Sequence, residues 1–560
     1  MKLVRSKTTE YIFLVILALL FLAANTYLVI SVDAFGNPSF FALGLLFQLI
    51  LLVVILYWLI RALNTPLEIL VSILISAWSG VLTNSYVKQF RKSKSPLSRW
   101  LIARLNYKNP SGLVLSIGLI ISVFFLINFS GILLDVWFHK PLTQIDTRVI
   151  NLMPSIRTSS QTAFFRFVTF TANTESILVL GALTAGILWS KRQKIAAGLF
   201  IIAIFTEEIF SLLLKLLVGR VRPIQSLGLI HEDTFSFPSG HVLRATVLFG
   251  LLSYLIYRSY NSSVIRICII LGFLLSVALV ALSRIYLGVH YPSDVLASMF
   301  FGASILTIFI TIIEIATRYN LWKSQSKSFT NKWLLSVPTI VIIFSLLTSP
   351  FILKITPSST KVSPTLVSSI DNRVLNELPH FSETLTGKPM EPISLIYVGS
   401  RKQIEARFSS HGWYKADAST VFNTLRALSI GLQNRQYLNA PVTPSYLNAQ
   451  PENIAFQNPT RTRSLRQRHH TRLWRTNFQL SDGREIWVAT ASYDDRIEFA
   501  GPAKLPTHHI DPNIDAERSF ILKSLEIKNS MYVQVVKAQA GQNASGDIFF
   551  TDGKAAVVEL

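Results

Sequence analysis

His290 and Asp294 stand four residues apart in SRIYLGVHYPSD, residues 283–294. At that spacing the carboxylate can accept a proton from one imidazole nitrogen and orient the ring, which leaves the other nitrogen nucleophilic. Arg284, in the same stretch, supplies a fixed cation, and Pro292 is compatible with the first turn of a following helix. Upstream, SFPSGHVLRAT (residues 236–246) sets Pro238, Ser239 and Gly240 where a helix should start. Free backbone N–H groups and the positive end of the helix dipole would then face an anion, with His241 beside it. KLLVGRVRP (residues 215–223) contributes Lys215 and Arg222, whose seven-residue separation predicts two turns on one helical face. Each piece also has a plainer use. Pro-Ser-Gly can simply begin a helix, and basic side chains at helix ends snorkel or hold lipid headgroups.

The elements that must position these residues belong in a membrane. The chain has 560 residues, 50% hydrophobic and only 15% charged, with a mean hydropathy of +0.43. A spanning helix needs roughly 20 apolar residues. Such runs occur near 11–32, 40–61, 112–134, 174–190, 195–217, 242–257, 265–282, 294–316 and 333–353, with a weaker, interrupted run near 66–86. The first run reads as an uncleaved anchor, and the weaker one as a re-entrant or interfacial segment. The net charge of +22 sits largely in short loops flanking apolar runs, which indicates membrane topology and argues against nucleic-acid binding. If those basic loops face the cytoplasm, the connections near 135–173, 218–241 and 283–293 face outward, and so does everything after about 354. The single cysteine, Cys268, excludes an intramolecular disulfide.

Residues 354–375 are rich in Pro, Ser and Thr and read as a linker. Beyond them, alternating stretches at 393–400, 485–493 and 531–536 predict strands, and patterns at 401–410 and 515–525 predict helices. The expected organisation is an N-terminal membrane region (1–110), a catalytic membrane domain (111–320), a last span (333–353), the linker and a soluble α+β domain (376–545).

The ordered set K(x6)RP, PSGH and SR(x5)H(x3)D, filled by Lys215, Arg222, Pro223, Pro238, Ser239, Gly240, His241, Ser283, Arg284, His290 and Asp294, resembles the signature of the type 2 phosphatidic acid phosphatase superfamily, which also contains the vanadium haloperoxidases. The resemblance covers about residues 145–316. It implies a mainly α, polytopic helical bundle with a haloperoxidase-like core. It also implies a phosphate cradle of Lys215, Arg222, Arg284, Ser239 and Gly240, with His290, held by Asp294, attacking phosphorus while His241 serves as acid and then base. No metal or cofactor is implied, because the cradle consists of side chains and amides. The C-terminal stretches, among them residues 378–389 and 440–447, resemble an LssY-like domain, which transfers no site.

Arg220 and Arg244 lie outside the signature but close to it, as contacts for a second phosphate or as headgroup and ion-pair residues. Glu207 and Glu208 fall inside a span, with Glu208 seven residues before Lys215; structural pairing is the expected role. In the C-terminal part, His469, His470, His508, His509, Asp511, Asp515 and Glu517 are types that ligate zinc, but no tight ligand spacing is present. The expected function is a multi-pass inner-membrane lipid phosphatase with its site and C-terminal domain in the periplasm. Its substrate would be undecaprenyl diphosphate, phosphatidate, phosphatidylglycerophosphate or a lipid A phosphate. The alternatives are a phosphotransferase using the same site and a non-catalytic scaffold acting through a periplasmic protein partner of the C-terminal domain.

Overall fold

A computed structural model of the chain describes residues 83–92, 95–105, 112–138, 141–223, 228–230, 232–319, 327–352, 364–462, 464–500, 505–543 and 546–560, with four single positions between 72 and 80. The expected spans near 11–32 and 40–61, most of the run near 66–86 and residues 354–363 of the expected linker lie outside the described residues; the rest of that linker is not plain coil but carries the strand Thr365–Val367 and the start of the helix Asn372–Glu377. The chain divides into two compact units.

The first unit is helical. After the short helices Ser85–Lys92 and Pro96–Leu105 come α1 (Leu113–Trp137), α2 (Ser159–Phe170), α3 (Thr174–Ser190), α4 (Lys194–Val218), α5 (Gly240–Ser259), α6 (Ser263–Tyr286), α7 (Pro292–Arg318) and α8 (Lys327–Ile352). Among the described residues, α1, α4, α5, α6, α7 and α8 contain stretches long and apolar enough to cross a membrane, and α2 with α3 forms a pair bent by 46°. Each apolar run expected between 112 and 353 is therefore helical. Outward faces carry exposed Leu, Ile and Phe, whereas Leu243, Val247, Phe200 and Ala203 are fully buried.

In lipid, apolar side chains gain little by leaving their surroundings, so close backbone approach and interhelical hydrogen bonds fix the packing. A Cβ on Gly118 of α1 would come within 2.0 Å of Thr311 Oγ1 on α7, and one on Gly302 of α7 within 2.8 Å of Thr246 Cβ on α5. Four residues past Gly118, the Ser122 and Ser304 hydroxyls meet at 2.8 Å. Helix α5 widens into a π-type turn at Ala245–Phe249, just past the signature residues.

The second unit contains residues 356–560 together with 138–158 and 223–229. Its main sheet runs in the order Met531–Gln534, Lys554–Glu559, Leu395–Val398, Glu485–Ala500, Arg468–Leu480, Ile454–Pro459, Tyr414–Lys415; Thr365–Val367 and Leu505–Ile510 pair at its side. The predicted strands and helices are all present. Two expected boundaries change. The domain does not end at 545, because Lys554–Glu559 is a buried strand between two others. Nor do residues 138–158 group with the helical unit. The polar face of the helix Pro141–Ile156 finds its partners in the second unit, where Arg148 Nη2 meets Glu383 Oε2 at 2.5 Å and the Asn151 amide donates to the Ala449 carbonyl at 2.8 Å.

Candidate active site

Four segments of the first unit converge: the end of α4, the connection that follows it, the start of α5 and the α6–α7 connection. Helix α4 stops where Gly219 adopts the left-handed φ of 60°, its N–H donating to the Lys215 carbonyl. The chain turns there, so Lys215 and Arg222 do not share a helical face as their spacing predicted. They meet instead at Thr234. Lys215 Nζ and Arg222 Nη2 donate to Thr234 Oγ1 at 2.9 and 3.0 Å, and Arg222 Nε donates to the Thr234 carbonyl at 2.6 Å.

Arg284, at the end of α6, is 1% exposed; its Nη1 donates to Thr169 Oγ1 at 2.8 Å. His290 follows the turn at Gly288, whose φ of 75° suits glycine. Its Nδ1 donates to the Ser236 carbonyl at 2.7 Å, while Asp294 Oδ2 lies 3.6 Å from the same nitrogen. A main-chain carbonyl thus takes the hydrogen bond expected of the carboxylate. The tautomer is the expected one, with Nε2 carrying the lone pair and standing 3.2 Å from Arg222 Nη1.

Asp294 is fully buried and accepts from the Tyr291 N–H at 2.9 Å, from the Ser236 hydroxyl and from Arg220 Nη1 at 2.5 Å. Arg220 also donates to Ser293 Oγ at 2.7 Å and lies over the Tyr291 ring, 4.2 Å from its centroid. In this structure its contacts are with Asp294, Ser293 and Tyr291. Arg244 is likewise engaged: its Nε donates to Glu208 Oε1 at 2.6 Å and lies 3.6 Å from Glu207 Oε1. Glu208 thus pairs with Arg244.

Ser239 precedes the first turn of α5, and its buried Oγ has no hydrogen-bond partner among the described residues. Gly240 is buried against Ser211, where a Cβ would stand 3.4 Å from Oγ. His241 feels the charges of Arg284, Glu232, Arg244 and His290.

Sequence reasoning passed over Glu232, Thr234, Ser236 and Thr169. Glu232 Oε2 accepts from Arg222 Nη2 at 2.8 Å, and Oε1 accepts from Arg284 Nη2. Its only sequence signal is an acidic residue in a connection otherwise rich in cationic motifs. Burial would raise its pKa, but Arg284, His241 and Arg222 outweigh that and hold the carboxyl well below the usual carboxylate range. For His290 burial wins: against the pull of Asp294, and with Arg222 and Arg284 adding to the depression, its pKa falls to about 4. The site thus combines two guanidiniums around an anion with an unprotonated imidazole nitrogen beside them.

The C-terminal histidines are spread over several carboxylates, two of the histidines sharing Asp494. His469 Nδ1 meets Glu517 Oε2 at 2.8 Å, His509 Nδ1 meets Asp495 Oδ1 at 2.7 Å, and His470 and His508 approach Asp494 at 3.5 and 3.8 Å. Among the described residues, no three His, Cys, Asp or Glu are grouped so as to hold a metal ion.

Residues 196–318 match the PAP2 superfamily, and residues 375–555 match the LssY C-terminus. The chain is similar to phosphatidylglycerophosphatase B of Bacillus subtilis, 34% identical over 113 residues, 20% of this chain and 55% of that protein. It is similar to lipid A 1-phosphatase of Rhizobium johnstonii, 33% identical over 127 residues, 21% of this chain and 48% of the relative. It is also similar to decaprenylphosphoryl-5-phosphoribose phosphatase of Mycobacterium tuberculosis, 33% identical over 118 residues, 20% of this chain and 58% of the relative. The chain spans about half the length of the curated relatives it matches. A crystal structure of a transmembrane PAP2 type phosphatidylglycerolphosphate phosphatase from Bacillus subtilis aligns at 24% identity and a TM-score of 0.31, covering 35% of this chain and 96% of that one.

Proposed function

We propose that this chain, which joins a PAP2 superfamily domain to an LssY C-terminus, is a membrane lipid phosphatase acting through a phosphohistidine. Its substrate is the phosphorylated end of a lipid such as undecaprenyl diphosphate, phosphatidate, phosphatidylglycerophosphate or a lipid A phosphate. His290 Nε2 attacks phosphorus, so that an N–P bond forms as the P–O bond to the leaving group breaks, and His241 gives the leaving oxygen its proton. Water, deprotonated by His241, then cleaves the N–P bond, releasing inorganic phosphate and restoring both imidazoles. Lys215, Arg222, Arg284, the free Ser239 hydroxyl and the Ser239 and Gly240 amides stabilise the charge on the phosphoryl oxygens. Those fixed cations supply what a metal ion would otherwise contribute. The basic loops near 191–194 and 318–332 argue for a cytoplasmic opposite side, and so for a periplasmic site in a bacterial inner membrane.

The observation that carries this reading is the hydrogen bond from His290 Nδ1 to the Ser236 carbonyl, which leaves Nε2 unprotonated, its lone pair turned to Arg222 Nη1 at 3.2 Å. The relatives support the substrate class, since each is named for removing a phosphate from a lipid. The test is phosphate release by the purified full chain from the four lipids above, with chelator present. The reading expects release from at least one lipid, loss of release in His290→Ala, and acid-labile label on His290 from a labelled substrate. Absence of release from every lipid by a folded protein, or full activity in His290→Ala, overturns it. Label found only on an acceptor lipid would make the enzyme a phosphotransferase.

A further inference from the structure

Glu232 occupies the centre of the cradle without belonging to the signature. One carboxylate oxygen accepts from Arg222 and the other from Arg284, which is how two oxygens of a phosphate engage two guanidiniums. The side chain is 22% exposed, so part of its surface reaches solvent. Alternate residues of its segment meet the site. Glu232 meets the arginines, Thr234 meets Lys215 and Arg222, and Ser236 meets Asp294 through its hydroxyl and His290 through its carbonyl. Phe237 is buried, its ring 6.1 Å from that of Phe129 and roughly parallel to it. The end of the segment near the nucleophile is thus anchored at several points, whereas Glu232 is held by ion pairs.

We propose that Glu232 is a resident anion of the cradle, displaced by the substrate phosphate, and that it sets a charge threshold for entry. This deepens the phosphatase reading and rests on it for the identity of the ligand. Two guanidiniums already paired with one carboxylate gain little from exchanging it for a singly charged phosphodiester. A monoester or diphosphate end, carrying about −1.5 to −2 near pH 7, attracts them more strongly than the carboxylate does. The ligand must therefore work against the carboxylate-bound state, and its apparent affinity is reduced by the fraction of molecules in which Glu232 has swung away.

The test measures binding of inorganic phosphate to the full-length protein in detergent, with melting curves, and phosphate release from the lipids above, in wild type and Glu232→Gln. Inhibition by phosphatidylglycerol, a singly charged diester, is followed alongside. The expected result is phosphate binding about tenfold or more tighter in Glu232→Gln, a larger phosphate-induced rise in melting temperature and stronger inhibition by the diester. Equal or weaker phosphate binding in a folded Glu232→Gln overturns the resident-anion inference, and the phosphatase reading survives if wild type still releases phosphate from a lipid. Tighter binding in a protein that releases phosphate from no lipid keeps the resident anion and overturns the phosphatase reading. Should Glu232→Gln not fold, Glu232→Asp replaces it, because a carboxylate retracted by one methylene weakens both ion pairs. Tighter phosphate binding in Glu232→Asp then supports the inference, and unchanged or weaker binding overturns it.

Discussion

His290 Nδ1 lies 2.7 Å from the Ser236 carbonyl oxygen and 3.6 Å from Asp294 Oδ2, so the main chain rather than the acid fixes the imidazole tautomer. Ser236 joins the two, since its hydroxyl donates to Asp294 while its carbonyl accepts from His290. Asp294 acts at one remove, as a buried charge that holds Ser236, Tyr291 and Arg220 and would favour the imidazolium that the proposed transfer forms.

Arg220 is accordingly a positioning residue. Arg220→Gln should lower kcat about 10- to 100-fold with little change in KM. Combined with Asp294→Asn it should cost far less than the two losses added together, because both act through one contact. Steady-state kinetics on the double-mutant cycle checks this. A rise in KM confined to diphosphate substrates would instead return Arg220 to a second phosphate.

The pH profile should report the depressed His290. With its pKa near 4, the imidazole stays unprotonated well below pH 6.5, so the acid limb of kcat/KM that belongs to the enzyme should lie near 4. Arg222→Gln removes a positive charge 3.2 Å from Nε2 and should move that limb upward. The sign for stability follows. Between the folded pKa of about 4 and the ordinary value of 6.5, the unfolded chain binds the extra proton, so this group makes stability rise with pH across that window and fall as pH drops through it. Melting temperatures across pH 4 to 7, in wild type and His290→Gln, would separate this contribution from others.

Packing between α1 and α7 should be intolerant at one position. Gly118→Val places a Cβ where Thr311 Oγ1 would be 2.0 Å away, forcing the helices apart at a cost of about 1–3 kcal/mol. Thr311→Ala should restore part of the loss, read as the melting temperature of the detergent-solubilised protein.

In the C-terminal unit, Asp494 is 2% exposed and accepts from Arg468 Nε at 3.0 Å. Asp494→Ala would leave Arg468 buried and uncompensated, with an expected loss of about 3–5 kcal/mol. Limited proteolysis of the full chain should show 364–560 becoming cleavable while the helical unit stays intact. Unchanged protease resistance would count against a structural role for this ion pair.

Composition and periodicity were sufficient for much of this protein. Apolar runs of spanning length became helices because hydropathy is a property of the local segment, and the alternating stretches after residue 375 became strands for the same reason. The resemblance to a family signature is what named Lys215, Arg222, Ser239, His241, Arg284, His290 and Asp294 together. Their partners were not legible. The seven-residue spacing of Lys215 and Arg222 suggested one helical face, but Gly219 ends α4 between them. That single left-handed residue carries Arg220 to Asp294 and Arg222 to Glu232. Likewise, nothing local distinguishes Glu232 from a solvated loop acid, nor shows that Pro141–Ile156 finds its ion pair at Glu383. Local pattern determines which segments leave water and which side chains can react. Which charge meets which depends on where turns and connections bring distant segments in space, and only the tertiary structure decides that.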